Sequence, residues 1–217
     1  MKPRIIFVTT FILILLISAI GFSQMDEEIN AIANQYHKKV EFDLKDKISI
    51  GSKDAPNAIV IFQDYECSRC KQFHEKVAMN LREDIDNGKV KLYYYDVPFT
   101  NETSYVKAML GVVFEKRHAA YYDQYIRAMY RLTREENEQF GDEKFVQEKM
   151  NKLFPNLDLT ADIEQVFKDD ESLVNELKEN QKLVNKENIT KVPTVFVNGK
   201  RIKNLFNLNH IKEEYMQ

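Results

Sequence analysis

The sequence holds two cysteines, three positions apart, in Cys67-Ser68-Arg69-Cys70. A short apolar run, Ala58–Phe62, precedes them, and Phe73, Val77, Leu81 and Ile85 follow at every fourth position. That pattern puts the CxxC at the junction of a buried strand and a helix. At a helix start, residues i and i+3 lie close enough for their sulfurs to bond. The first sulfur then occupies the exposed first turn, where free N–H groups and the helix dipole favour a thiolate. The second is covered by that turn. An attacking sulfur beside a resolving sulfur is what thiol–disulfide exchange requires. Arg69 adds a positive charge that favours the thiolate, unless it points into solvent.

Other chemistries fit these residues less well. Cys67, Cys70 and His74 make C-x2-C-x3-H, half of a zinc site. Zinc normally takes four ligands in such a site, and none of His37, His118 or His210 has motif spacing. Covalent haem attachment needs CxxCH, but Lys71 follows Cys70. A purely structural disulfide across so short a loop would remove little chain entropy. A zinc site, haem attachment and a structural staple are therefore the less favoured readings.

A second element lies far along the chain, in Lys191-Val192-Pro193-Thr194-Val195-Phe196-Val197-Asn198-Gly199. A proline at the very start of a strand, before an apolar run, suits a cis peptide bond. It interrupts the sheet edge and leaves the preceding backbone free to pair with an extended peptide.

The rest of the 217-residue chain must position these two elements. With 44% hydrophobic and 30% charged residues it can bury a full core as one domain, with room for an inserted subdomain. Its net charge of −3 does not favour a surface that wraps nucleic acid. Six glycines and no GxGxxG or GxxxxGK[ST] argue against the usual nucleotide enzymes. Met1-Lys2-Pro3-Arg4, the apolar stretch Ile5–Phe22 and the small residues Gly21 and Ser23 read as a secretory signal peptide or a retained membrane anchor over residues 1–23. Either reading places the body outside the cytoplasm, because the basic residues stay inside.

Residues 24–47 form a lead-in, helical from Met25 to about Lys39, with Val40–Ile50 alternating as a half-buried strand would. Gly51–Asn57 is a turn and Ala58–Phe62 a strand buried on both faces. The helix that opens near Cys67 should run to the stop at Asp86-Asn87-Gly88. Val90–Tyr95 is the next strand. From about Glu102 to Asn188 only helical spacing is found, including Glu143–Leu153 and Thr160–Lys186, and its aromatic and methionine stripe reads as core. Thr194–Val197, Asn198-Gly199 and Lys200–Ile202 form a hairpin. A helix over about Leu208–Tyr215 ends the chain. The charge runs Arg134–Glu138 and Lys168–Glu171 read as solvated faces. The order implies an α/β fold, one sheet interrupted by an all-helical insert at about 102–188.

With these residues in view, the sequence resembles the DsbA-like, thioredoxin-fold disulfide oxidoreductases, and within them the BdbD-type branch. The resemblance rests on Gly51 with Asp54-Ala55-Pro56, Ile59–Phe62, Asp64-Tyr65, Cys67–Cys70, Val97-Pro98, Tyr121-Tyr122-Asp123, Val192-Pro193-Thr194 and Phe196–Gly199. It spans about residues 48–215. It implies a thioredoxin-like domain over 48–217 with a helical insert. Cys67 would be the nucleophile that forms mixed disulfides with clients, and Cys70 the resolving thiol. Val192 and Pro193 would be the cis-proline pair that contacts the client backbone. No cofactor would be needed. A membrane partner, quinone-linked or like vitamin K epoxide reductase, would re-oxidise the pair.

Two departures stand out. Ser68 occupies the place where many family oxidases carry proline. Ile61 stands six residues before the first cysteine, where some members place a buried acid, leaving Asp64, Glu66 or water to handle protons.

The expected function is an exported, monomeric thiol–disulfide oxidoreductase that forms disulfides in unfolded or reduced client proteins. The rivals are an extracytoplasmic reductase or isomerase and, from another class, a protein that carries copper on its two thiols. An isomerase would usually need a dimerisation module, and Met25–Lys39 is short for one. No methionine or histidine cluster flanks the cysteines as a copper carrier would require.

Overall fold

Four consecutive side chains, Ile59 to Phe62, are each at most 2% exposed, and this run is the centre of the structure. They belong to β1 (Asn57–Gln63), which pairs in parallel with β2 (Val90–Asp96) and antiparallel with β3 (Thr194–Val197). A strand with a neighbour on each side and a layer on each face has no solvated side, so its sequence shows no alternation. β3 turns through Asn198 and Gly199, both at positive φ, into the two-residue β4 (Lys200–Arg201). The sheet order is β2-β1-β3-β4.

The computed structural model describes residues 38–216 and, before them, 21, 24–27 and 29–30. Two compact units, Met1–Lys39 and Val40–Gln217, are distinguished. In the first, residues 21, 24–27 and 29–30 are helical, Lys38 and Lys39 are not, and Met25 and Ile29 are exposed. The proposed signal or anchor lies outside the described residues, apart from Gly21, as does much of the lead-in. Among the described residues no helix is long and apolar enough to cross a membrane.

In the second unit, the alternating stretch Val40–Ile50 is not a strand. Only Ile50 forms a ladder contact, an isolated antiparallel bridge to Leu92. The chain turns at Lys47, whose N–H bonds Leu44 O at 3.3 Å. The alternation serves two separate cores: Val40, Phe42 and Leu44 pack with Phe62, Tyr95 and Phe196, whereas Ile48 and Ile50 join the larger cluster. Glu115 holds the crossing, accepting from Lys47 Nζ at 2.7 Å and Ile48 N–H at 3.2 Å.

The helix after the cysteines is also divided. α1 (Ser68–Lys76) gives way to a 3-10 turn (Ala78–Leu81) and then α2 (Arg82–Asp86). Asn80 Nδ2 bonds the carbonyls of Glu75 and Lys76 at 3.2 and 3.1 Å, satisfying the end of α1. Phe73, Val77, Leu81 and Ile85 remain buried along one side, so the fourfold spacing survives the break.

Between β2 and β3 every regular element is helical: α3 (Glu102–Arg117), a 3-10 turn (Ala119–Tyr121), α4 (Tyr122–Arg131), α5 (Arg134–Glu138), α6 (Glu143–Leu153), α7 (Thr160–Phe167) and α8 (Glu171–Lys186). The segment Thr160–Lys186 is thus two helices. Asp169 at φ +51° reverses the chain, and Asp170 caps α8 through Ser172 N–H at 2.9 Å. The aromatic stripe is core: Phe114 lies 4.5 Å from the Tyr125 ring and 4.6 Å from Phe154. Residues Leu183, Val184 and Ile189, at and beyond the end of α8, cover the other face of the sheet. α9 (Leu208–Tyr215) docks onto Asp84 through the Tyr215 hydroxyl at 2.7 Å and Lys212 at 2.8 Å.

A polar seam joins the sheet to the helices. Gln63 Nε2 and the Tyr65 hydroxyl donate to the two oxygens of buried Asp96, at 2.9 and 3.2 Å, and Tyr130 donates to Gln63 Oε1 at 2.9 Å. Burial, above all, pushes the Asp96 carboxyl up to about 7. The folded state therefore holds this proton over a range where the unfolded chain, at about 3.9, has lost it. Stability from this group is fully present below about pH 4 and is lost as pH rises through about 7. Asp96→Asn is expected to flatten the pH dependence of the urea midpoint across that window. A second expectation concerns Gly111, where a Cβ would overlap the Asp96 carboxylate and lie 3.4 Å from the Tyr65 hydroxyl. Gly111→Ala should cost about 1–3 kcal/mol by overpacking, while Gly141→Ala, with no atom within 4 Å of the added Cβ, should leave the midpoint near wild type.

Candidate active site

β1 ends at Gln63, and four residues carry the chain into α1. Cys67 N–H bonds Asp64 O at 3.1 Å, closing a turn that leaves Cys67 as the N-cap, with extended backbone (φ −75°, ψ 115°). No side chain caps this helix end. Its first N–H groups are therefore available to the Cys67 sulfur itself.

Both thiols are free; Cys67 is partly exposed and Cys70 is 2% exposed. The Cys67 thiol is lowered from 9.0 to about 6, first by the hydrogen bond from the Cys70 thiol and further by the backbone N–H groups of Cys70 and Arg69. Burial and the negative charge of Asp64 oppose that shift. Cys70 is pushed far up, because burial penalises its charged form and its proton serves Cys67. One sulfur is acidic and reachable; the other is neutral and enclosed.

The distant second element closes over this pair. The peptide bond Val192-Pro193 is cis, and Val192 O lies 3.6 Å from Cys67 Sγ. Cys67, Cys70, Val192 and Pro193 are thus gathered at one end of the sheet. Arg69 directs its guanidinium over the Phe206 ring at 5.2 Å, so what it gives the thiolate is its backbone N–H.

The remaining candidates have other surroundings. His74 is buried against the Tyr130 ring at 4.9 Å and lowered to about 4, chiefly by burial; its Nδ1 has no hydrogen-bond partner. His118 bonds Asp162 at 2.7 Å, and His37 lies outside the described residues. No group of three His, Cys, Asp or Glu among the described residues could hold a metal ion. Ile61 is fully buried in β1 between Tyr94 and Val195. Glu66 is engaged by Lys107 Nζ and by the Thr103 hydroxyl at 3.1 Å. Asp64 is buried and bonded by groups of two other segments. Sequence reasoning named Asp64 and Glu66 but not their partners, Thr100, Ser104 and Lys107, which lie 36 to 41 positions away.

The family described as Thioredoxin matches residues 43–213. The chain is also 30% identical over 179 residues, 78% of its own length and 76% of the relative's, to the disulfide bond formation protein D of Bacillus subtilis. The chain belongs to the DsbA-like thioredoxin family, in its BdbD-type branch. The oxidised crystal structure of Bacillus subtilis BdbD has the same fold at a TM-score of 0.70, with 23% identity, covering 82% of this chain and 98% of that one. Wolbachia pipientis alpha-DsbA1 follows at 0.67, with 21% identity over 81% and 94%. The expected thioredoxin-like α/β fold with helices is therefore the one observed.

Alkylation of the reduced protein by iodoacetamide should follow a thiolate midpoint near pH 6, all of it at Cys67. Cys70→Ala removes the largest stabilising contact to that thiolate, so the midpoint should rise towards 9.

Proposed function

We propose that this chain is an exported thiol–disulfide oxidoreductase that forms disulfides in extracytoplasmic proteins. The carrying observation is the asymmetry of its two sulfurs beneath the Val192 carbonyl: Cys67 acidic and open, Cys70 neutral and covered. The family relationship supports thiol–disulfide chemistry, and the basic-then-apolar segment Met1–Phe22 supports export by signal peptide or anchor.

The oxidised form carries a Cys67–Cys70 disulfide. A client thiolate attacks Cys67 Sγ, the bond to Cys70 breaks, and Cys70 leaves and takes up a proton. A second client thiolate then attacks the client sulfur of the mixed disulfide, and Cys67 leaves as a thiolate. The client gains one disulfide and the pair gains two electrons. A low leaving-group pKa speeds the second step, and the same stabilisation makes the pair oxidising. Val192 and Pro193 are the residues we assign to the client backbone. A membrane partner, quinone-linked or like vitamin K epoxide reductase, would then restore the disulfide.

Equilibration with glutathione buffers tests the direction of transfer. A potential near about −120 mV is expected for a disulfide donor, and one near about −270 mV would make the protein a reductase instead. Cys67→Ser should abolish oxidation of a reduced model substrate. Cys70→Ser should leave mixed disulfides on Cys67 unresolved, seen as adducts released by dithiothreitol.

A further inference from the structure

Asp64 is an acidic side chain three residues before Cys67, 1% exposed, inside a cradle of backbone N–H groups and hydroxyls. Its Oδ2 accepts from Phe99 N–H at 2.9 Å, Thr100 N–H at 3.0 Å and the Thr100 hydroxyl at 2.6 Å. Its Oδ1 accepts from Glu66 N–H at 2.9 Å and the Ser104 hydroxyl at 2.6 Å. Of these five contacts, three come from backbone N–H groups, which can only donate, and two from hydroxyls.

Its position links three pieces of backbone. Through its own carbonyl and its Oδ1 it fixes the turn that presents Cys67. Through Oδ2 it ties that turn to the loop after β2, and through Ser104 to the first turn of α3. The nearby charges are otherwise engaged: Glu66 with Lys107, Arg69 over Phe206. The charge of Asp64 disfavours the thiolate of both cysteines, more weakly than burial does, while its backbone favours that of Cys70.

We propose that Asp64 is a positioning residue that holds the Cys67 turn in place and, by its fixed negative charge, restrains the oxidising strength of the disulfide. The cradle makes the charge tolerable, since each donor turns a positive dipole end towards it. Removing the charge should favour the reduced, thiolate form. Removing a donor while keeping the charge should disfavour it. The two kinds of change therefore carry opposite signs, whereas mere loosening of the turn would move both the same way.

The proposal rests on the thiol–disulfide reading above, and the experiment separates the two. Full-length wild type, Asp64→Asn, Thr100→Val and Ser104→Ala are compared by thiolate absorbance at 240 nm against pH and by equilibrium with glutathione. Asp64→Asn is expected to lower the Cys67 midpoint and shift the equilibrium several-fold towards the reduced protein. Thr100→Val and Ser104→Ala are expected to raise the midpoint and shift the equilibrium towards the disulfide. If Asp64→Asn does not fold, Asp64→Ser, which also lacks the charge, takes its place in the comparison with the donor variants. Unchanged values, or a common direction for all variants, would overturn the role of Asp64. A wild type that forms no Cys67–Cys70 disulfide would instead overturn the functional reading itself.

Discussion

The pairing of a buried, neutral Cys70 thiol with the Cys67 sulfur is the interaction on which the proposed chemistry turns. It is the largest influence lowering Cys67 to about 6, and it requires Cys70 to keep its proton. Burial enforces that condition. Cys70 lies within the main core cluster beside Phe73 and Val77, where a charge would be poorly solvated. The same core that stabilises the fold thus divides two chemically identical thiols into a good leaving group and a neutral donor.

Holding that contact requires the start of α1 to be fixed, and the fixing is polar. Asp64 anchors the turn before Cys67, and Asn80 ends α1 two turns after Cys70. Beneath the turn, Gln63, Tyr65 and Tyr130 gather around Asp96 and join the end of β1 to the helices that follow β2. These groups are deeply buried and mutually satisfied, the condition under which a polar network gives a core one definite arrangement. His74 has one unpartnered nitrogen at this boundary, and burial keeps its ring neutral near neutral pH.

Much of the architecture can be read along the chain. The apolar run Ile59–Phe62, the Asn198-Gly199 turn and the helical spacing of 102–188 are local patterns, and each corresponds to the element it implies. Reading fails where a pattern is local and its cause is not. Val40–Ile50 alternates because it passes between two cores, not because it lies in a sheet. The fourfold spacing after Cys70 and the long stretch Thr160–Lys186 look continuous because periodicity records which side is buried. It is blind to Asn80 taking the last carbonyls of α1, or to Asp169 adopting positive φ.

By itself the sequence determined the two neighbouring thiols proposed to react, their place at a strand-to-helix junction and the proline-led strand far along the chain, since residue type, spacing and period are properties of neighbours. Tertiary structure alone decided what surrounds the pair. It brings Val192 O to 3.6 Å from a sulfur 125 positions away, turns Arg69 onto Phe206, and supplies Asp64 with donors from Phe99, Thr100 and Ser104. Acidity depends on burial and on the directions of nearby dipoles and charges, and these exist only once distant segments have packed against one another.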